Sequence, residues 1–190
     1  MSTLVMVEKN GVACMAAETL TSYGSWQQPA RYTARPEKIL RIGESWVGVV
    51  GLIANRTVLE SALSADLRLP EVRNEMELFE FSRQLHVRLK EEYFLNPGDV
   101  GSEAYESTQM TLFLMNRYGI FGLYSNRSVE QYQRFAAVGS GAGFALGAMY
   151  VAYELDAEAE DVARLGVEAA TEFDEASQAP ITLKKLKLEA

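Results

Sequence analysis

Apolar and polar positions at the start of the chain predict a β-hairpin. Two apolar runs, 4–7 and 12–17, flank Asn10-Gly11, the strongest two-residue hairpin signal. Both runs are nearly continuous in apolar residues, and this pattern is typical of strands that are buried on both faces.

Further strands and paired helices are predicted along the rest of the chain. Apolar runs bounded by turn residues predict strands over 38–42, 46–53, 110–115, 120–124, 133–138 and 180–188. Apolar residues at helical spacing predict a helix from Asn55 and further helices over 74–93, 142–155 and 157–173. Blocks of strands that alternate with helix pairs predict an α+β fold with two stacked sheets flanked by helices.

Length and composition bound the class of protein. A chain of 190 residues predicts one domain over 1–190, and 48% hydrophobic residues are enough for a substantial core. The net charge of -8 argues against nucleic acid as a partner, because a phosphate backbone requires a basic face. Cys14 has no second cysteine to pair with, and no basic stretch leads into an apolar signal at the start, so a cytoplasmic location is expected.

One uncharged stretch is long enough to raise the question of a membrane span. Residues 135–153 carry no charge, and a spanning helix needs ~20 apolar residues. Four glycines and a predicted strand-to-helix turn interrupt the stretch, so no membrane partner is expected. Its segment Gly139–Phe144 lacks the third glycine of a dinucleotide loop, and no Lys-Ser/Thr pair follows. We therefore expect no cofactor.

The inventory of reactive side chains limits the chemistry. With one histidine and one cysteine, the chain cannot build a His/Cys metal cluster, and no metal is expected. A histidine-dependent hydrolase would have to use His86, which falls on a helical face of 74–93 behind an Asn74/Glu77 capping box. A hydrolase of this sequence is therefore expected to work without histidine.

Ser2 offers chemistry that needs no histidine. Removal of Met1, which is general when residue 2 is small, would leave Ser2 with both a hydroxyl nucleophile and a free α-amine. Such an amine, with a pKa of about 7.7 to 8.0, can act as a base near neutral pH. Near the other end, Asp174 and Ser177 are three residues apart, so their side chains can meet on one turn and hold a third group.

Six short motifs, in order along nearly the whole chain, resemble proteasome-type N-terminal nucleophile peptidases. The similarity is to the bacterial HslV branch and its offshoot, the betaproteobacterial proteasome homologues. The motifs are Ser2-Thr3-Leu4-Val5-x-Val7-x-x-Asn10-Gly11, Ala17-Glu18, Lys38-Ile39, Val50-Gly51, Val138-Gly139-Ser140-Gly141 and Asp174-x-x-Ser177.

The resemblance implies a role for each matching site residue. Ser2 would be the nucleophile, its own amine would be the general base through a water, and Lys38 would lower the pKa of the hydroxyl. Glu18 would pair with Lys38, since a buried lysine needs a carboxylate partner. The Gly51 N–H would donate to the oxyanion, an interaction commonly worth ~3 to 4 kcal/mol.

The same resemblance implies that three residues orient the α-amine: Ser140, Asp174 and Ser177. The chain departs from most relatives at two positions, because they have Thr where it has Ser2 and Asp where it has Glu18. Serine keeps the hydroxyl but loses the methyl group that helps to fix χ1.

The expected function is peptide-bond hydrolysis by a four-layer αββα subunit. The resemblance implies assembly with other copies into a hollow double ring of six- or seven-fold symmetry, with peptides or unfolded proteins as substrates. Two alternatives are a catalytically silent ring or scaffold subunit and a small-molecule N-terminal nucleophile amidohydrolase. Whether an ATPase partner feeds the chamber stays open.

Overall fold

The computed structural model describes residues 2–64, 67–97 and 104–189. It contains two stacked antiparallel sheets with helices on their outer faces. In these ranges the α-helices are α1 Ala54–Ser64, α2 Glu75–Glu92, α3 Ala142–Tyr153 and α4 Ala159–Phe173, and a short 3-10 helix spans Ala30–Tyr32. The first six strands are β1 Thr3–Lys9, β2 Val12–Glu18, β3 Thr21–Tyr23, β4 Trp26–Gln28, β5 Ile39–Ile42 and β6 Ser45–Gly51. The others are β7 Met110–Asn116, β8 Gly119–Leu123, β9 Val129–Tyr132, β10 Phe135–Gly139 and β11 Ile181–Lys187.

The strands form one four-stranded and one five-stranded sheet. Their orders are β10-β1-β2-β11 and β5-β6-β7-β8-β9, and β3 and β4 form a separate two-stranded ribbon. The predicted hairpin, the second strand pair and the four helices are confirmed, whereas β3, β4 and β9 were not predicted. Strands of three or four residues with few buried side chains give little periodic signal.

Three layers of buried side chains separate the sheets and helices. Strand β1 shows how they divide, because side chains alternate between the two faces of a strand. Leu4 and Met6 pack between the two sheets, whereas Val5 and Val7 pack against α3 and α4. Another cluster, including Leu59 and others from α1, α2 and the five-stranded sheet, covers the opposite side. The predicted four-layer αββα arrangement is confirmed.

Local hydrogen bonds explain where α2 begins. Asn74 caps α2, and its side chain accepts a hydrogen bond from the Glu77 N–H at 3.0 Å. The Glu77 carboxylate binds the Arg73 N–H at 2.7 Å instead of closing the predicted capping box on Asn74.

The stretch 135–153 divides into β10 and α3. Within the described ranges, no helix combines the length and apolar character needed to cross a bilayer.

One expectation concerns a residue outside the described ranges, because the processing at the start of the chain involves Met1.

The burial of Cys14 gives a direct test of the four-stranded sheet. Burial, assisted by the charge of Glu160, raises the pKa of the Cys14 thiol to about 12. Because the thiolate reacts, the folded thiol should be alkylated about a thousandfold more slowly at pH 8 than the unfolded one, whose pKa is ~8.5. The rate of iodoacetamide labelling, followed by mass spectrometry with and without guanidinium, measures this ratio. A folded rate within tenfold of the unfolded rate would contradict the burial of Cys14.

Candidate active site

The termini of all four strands lie side by side at one end of the four-stranded sheet. The antiparallel register pairs Thr3 with Gly139 and Leu4 with Ala17, so the start of β1 lies between the ends of β10 and β2. Ile181 pairs with Glu18, and this pairing adds the start of β11. The topology thus gathers residues that are far apart in sequence around Ser2, which directly precedes β1.

Glu18 and Lys38 form a buried ion pair beside the start of β1. The side chain of Glu18 is fully buried, and that of Lys38 is 13% exposed. One carboxylate oxygen of Glu18 accepts from the Lys38 ammonium and from the Thr3 N–H at 3.2 Å. Its other oxygen accepts from the Leu20 N–H at 2.6 Å and the Gln178 N–H at 3.5 Å.

Burial governs the electrostatics of this pair. Desolvation lowers the pKa of the Lys38 ammonium, and the negative charge and hydrogen bond of Glu18 oppose that change. Desolvation likewise raises the pKa of the Glu18 carboxyl, against the opposing effects of Lys38 and of the backbone N–H donors. Lys38 is therefore a cation that gives up its proton more easily than an exposed lysine.

Ser140, Asp174 and Ser177 form a second polar cluster on another side of Ser2. The Ser140 hydroxyl donates to Asp174 Oδ2 at 2.8 Å, and its oxygen lies 3.4 Å from the Ser2 carbonyl oxygen. Ser177 donates to the same Asp174 oxygen at 2.6 Å. Asp174 caps the end of α4, and Ser177 lies on the turn that follows, so the predicted meeting of these two side chains is confirmed.

Gly139 controls how closely β10 approaches Ser2. Its φ is +104°, a backbone conformation that side-chain-bearing residues rarely adopt. A Cβ at this position would overlap the Ser2 carbonyl oxygen. Glycine is therefore required where the backbone of Ser2 lies against the end of β10.

A cleft of about 570 Å³ opens beside Ser2. Its walls include Ser2, Lys38 and Gly51, together with Leu20 and Val49. Gly51 is the last residue of β6 and has a φ of +130°. Because Ser2, Lys38 and Gly51 all line the cleft, the predicted nucleophile, cation and oxyanion donor lie around one space. Ser140, Asp174 and Ser177 do not line this cleft, and the Ser140 hydroxyl oxygen lies close to the Ser2 carbonyl oxygen.

Sequence reasoning missed two parts of this site. No element or site residue was predicted between Tyr23 and Pro36, but Tyr23, Arg35 and Pro36 line the cleft. Thr3 was quoted as part of a motif without a role, yet it is fully buried and contacts both polar clusters. No local sequence signal marked Thr3.

His86 lies in a different environment. It is 7% exposed on α2, and its Nε2 lies 3.0 Å from Glu106 Oε2. Hydrogen bonds from Lys90 and from His86 lower the pKa of the Glu106 carboxyl. His86 is absent from the cleft lining. Among the described residues, no group of three or more His, Cys, Asp or Glu side chains is arranged to hold a metal ion.

Comparisons with known proteins give close structural matches. No family model and no curated protein matches the chain. Thiobacillus denitrificans BPH in complex with epoxomicin is 36% identical with a TM-score of 0.92, over 99% of this chain and 100% of that one. A second structure of Thiobacillus denitrificans BPH is 37% identical with a TM-score of 0.93, over 98% of each chain. Eukaryotic HslV from Trypanosoma brucei, at 19% identity and a TM-score of 0.68 over 97% of this chain and 99% of that one, shares the fold.

The buried ion pair makes stability depend on pH in a defined direction. In a Lys38→Met variant, the pKa of Glu18 should rise further, because the cation that opposes desolvation is gone. A folded pKa above the unfolded one gives stability that is present at low pH and lost as the pH rises through the folded value. The free energy of unfolding of the variant should therefore be closest to that of the wild type near pH 4 and about 3 kcal/mol lower than it at pH 8.

Urea unfolding at several pH values measures this loss. Lys38→Met/Glu18→Gln is the matched control, because it removes the buried charge and should recover most of the loss at pH 8. A loss that is the same at pH 4 and pH 8, or that the double variant does not reduce, would contradict the ion pair.

Proposed function

The chain belongs to the family of bacterial proteasome homologues (BPH), and on this premise we propose that it is a peptidase whose nucleophile is an N-terminal Ser2 exposed by removal of Met1. The observation that carries the proposal is the cleft whose lining includes Ser2, Lys38 and Gly51. Epoxomicin, a proteasome inhibitor, is bound to a relative with the same fold. This similarity supports hydrolysis of peptide bonds more than a silent scaffold.

The proposed reaction begins with the hydroxyl of Ser2. Its oxygen attacks the carbonyl carbon of the peptide bond, and its proton passes through a water to the α-amine of the same residue. Lys38 favours this step, since a nearby cation stabilises the developing alkoxide. The negative charge moves to the carbonyl oxygen, where the Gly51 N–H is proposed to donate a hydrogen bond.

The second half of the reaction returns the enzyme to its starting state. The carbon–nitrogen bond breaks, the leaving amine takes the proton from the α-ammonium group, and an ester links the acyl group to Ser2. A water then attacks the ester, and the α-amine accepts the proton of that water. The bond between the acyl carbon and the Ser2 oxygen breaks, the α-ammonium returns the proton to this oxygen, and the acid leaves. Asp174, Ser140 and Ser177 hold the amine in position for both proton transfers in this proposal.

The lysine acts here chiefly as a cation. Its burial lowers its pKa, but the contact with Glu18 opposes that change and keeps positive charge next to the nucleophile. Glu18 itself is held by N–H groups of three segments, so its longer side chain is fixed despite the extra methylene relative to aspartate. This arrangement supports carrying the family role of an aspartate over to Glu18.

We also infer a homo-oligomeric double ring in the cytoplasm. The fold shared with HslV supports a ring of six or seven subunits. Large apolar side chains stay exposed on α3 in the single chain, including Tyr150 at 64% and Val151 at 61%. An exposed apolar patch on a soluble protein marks an interaction surface. Assembly would cover this surface and enclose peptides or unfolded chains.

Replacing the nucleophile tests the proposal. Ser2→Ala should reduce hydrolysis of a fluorogenic peptide to background without changing the oligomer, because the variant keeps the amine but loses the hydroxyl. Ser2→Thr should keep or raise the rate, because the added methyl restricts χ1. His86→Gln is the control and should stay near wild type.

The readouts are the initial rate and the mass of the assembly. Full activity in Ser2→Ala would overturn the mechanism, and loss of activity in His86→Gln alone would favour a histidine-dependent hydrolase. An inactive wild type that assembles normally would favour the silent ring subunit.

A further inference from the structure

We propose that Thr3 is a positioning residue for the Ser2 α-amine and that it acts through the hydroxyl of Ser177. The inference rests on the proposed function, because the amine exists only once Met1 is removed. Thr3 is fully buried, and its Oγ1 lies 2.7 Å from Ser177 Oγ, although the two residues are 174 positions apart.

Counting protons fixes the direction of the hydrogen bonds. An ionised carboxylate accepts hydrogen bonds and cannot donate them, and a serine hydroxyl has one proton. Ser177 Oγ lies 2.6 Å from Asp174 Oδ2, so its proton goes to Asp174. The bond between Ser177 and Thr3 must therefore be donated by Thr3. The resulting chain runs from Thr3 to Ser177 to Asp174.

Such a chain is stronger than its separate bonds. Each donor polarises the next, so donation by Thr3 makes Ser177 a better donor to Asp174. Asp174 Oδ2 also accepts from Ser140, whose oxygen lies 3.4 Å from the Ser2 carbonyl oxygen. The hydroxyl of Thr3 thus holds the orientation of Ser177 and moderates the negative charge of Asp174 behind Ser2.

A glycine makes room for this hydroxyl. A Cβ at Gly141 would overlap Thr3 Oγ1 and would lie 2.8 Å from the Ala170 Cβ and 3.2 Å from the Asp174 Cβ. The chain therefore brings the backbone at the start of α3 against the Thr3 side chain with no space for a methyl group. The main chain of Thr3 is fixed as well, because its N–H donates to Glu18.

Thr3, which directly follows the proposed nucleophile in sequence, therefore connects the two polar clusters. Its N–H contacts the Glu18–Lys38 pair, and its hydroxyl contacts the Ser177–Asp174 pair. Movement of either pair would be transmitted to Ser2 through one peptide bond. A hydrophobic residue of the same shape would fill the space but leave Ser177 without a donor.

Thr3→Val and Thr3→Ser separate the hydroxyl from the packing. Thr3→Val keeps the shape and removes the donor, so kcat should fall about three- to tenfold, the range for one neutral hydrogen bond, with KM unchanged. Thr3→Ser keeps the donor and should stay within about twofold of wild type. In a Ser177→Ala background, Thr3→Val should lower kcat little further, because the partner of the Thr3 hydroxyl is already gone.

The pH dependence gives a readout that packing alone would not move. With a weaker hydrogen bond from Ser177, Asp174 should hold the protonated amine more strongly. The acid limb of the pH profile of kcat/KM should therefore move to higher pH in Thr3→Val and return in Thr3→Ser. An unchanged limb, or Thr3→Ser as impaired as Thr3→Val, would overturn the role of the hydroxyl.

Titration of the amine separates this inference from the proposed function. NMR of protein labelled with ¹⁵N-serine follows protonation of the Ser2 amine whether or not a peptide is cleaved. An upward shift in Thr3→Val supports the positioning role even if the wild type hydrolyses nothing, and that result would count against the peptidase alone. An unchanged titration with an active wild type would count against Thr3 alone.

Discussion

The fully buried carboxylate of Glu18 is the interaction on which the site depends. It accepts hydrogen bonds from the N–H groups of Thr3, Leu20 and Gln178 and pairs with Lys38. These donors come from β1, from the segments that follow β2 and precede β11, and from the segment that precedes β5. A buried charge without partners would cost several kcal/mol, so the fold must keep these segments together.

This constraint explains how one arrangement serves both stability and chemistry. The contacts that satisfy Glu18 also place Lys38 in the wall of the cleft beside Ser2. Desolvation would otherwise favour a neutral lysine, and the carboxylate opposes that change. Asp174 plays a comparable part on another side of Ser2, where it accepts from two hydroxyl groups at one oxygen. Two buried or half-buried anions therefore flank the start of β1.

Sequence patterns predicted the parts of this arrangement that local chemistry determines. The Asn10-Gly11 turn fixes the first hairpin, and Asn74 fixes the start of α2. Ser2, Asp174 and Ser177 stood out by their own chemistry, and the other site residues were found by resemblance. The register of the four-stranded sheet explains why Glu18 and the end of β10 lie beside Ser2. The short strands of the β3–β4 ribbon escaped prediction, because their contacts are few and their side chains are largely exposed. The role of Thr3 depends on a partner 174 positions away, which no local pattern encodes.

The central claim is that Ser2 is an N-terminal nucleophile, and mapping a covalent inhibitor tests it most directly. The purified protein is incubated with an inhibitor directed at N-terminal nucleophiles, and the intact mass and the fragment masses are measured. The account predicts a chain that begins at Ser2 and carries one adduct on that residue. An adduct on another residue, or peptide hydrolysis by a chain that still carries Met1, would contradict it.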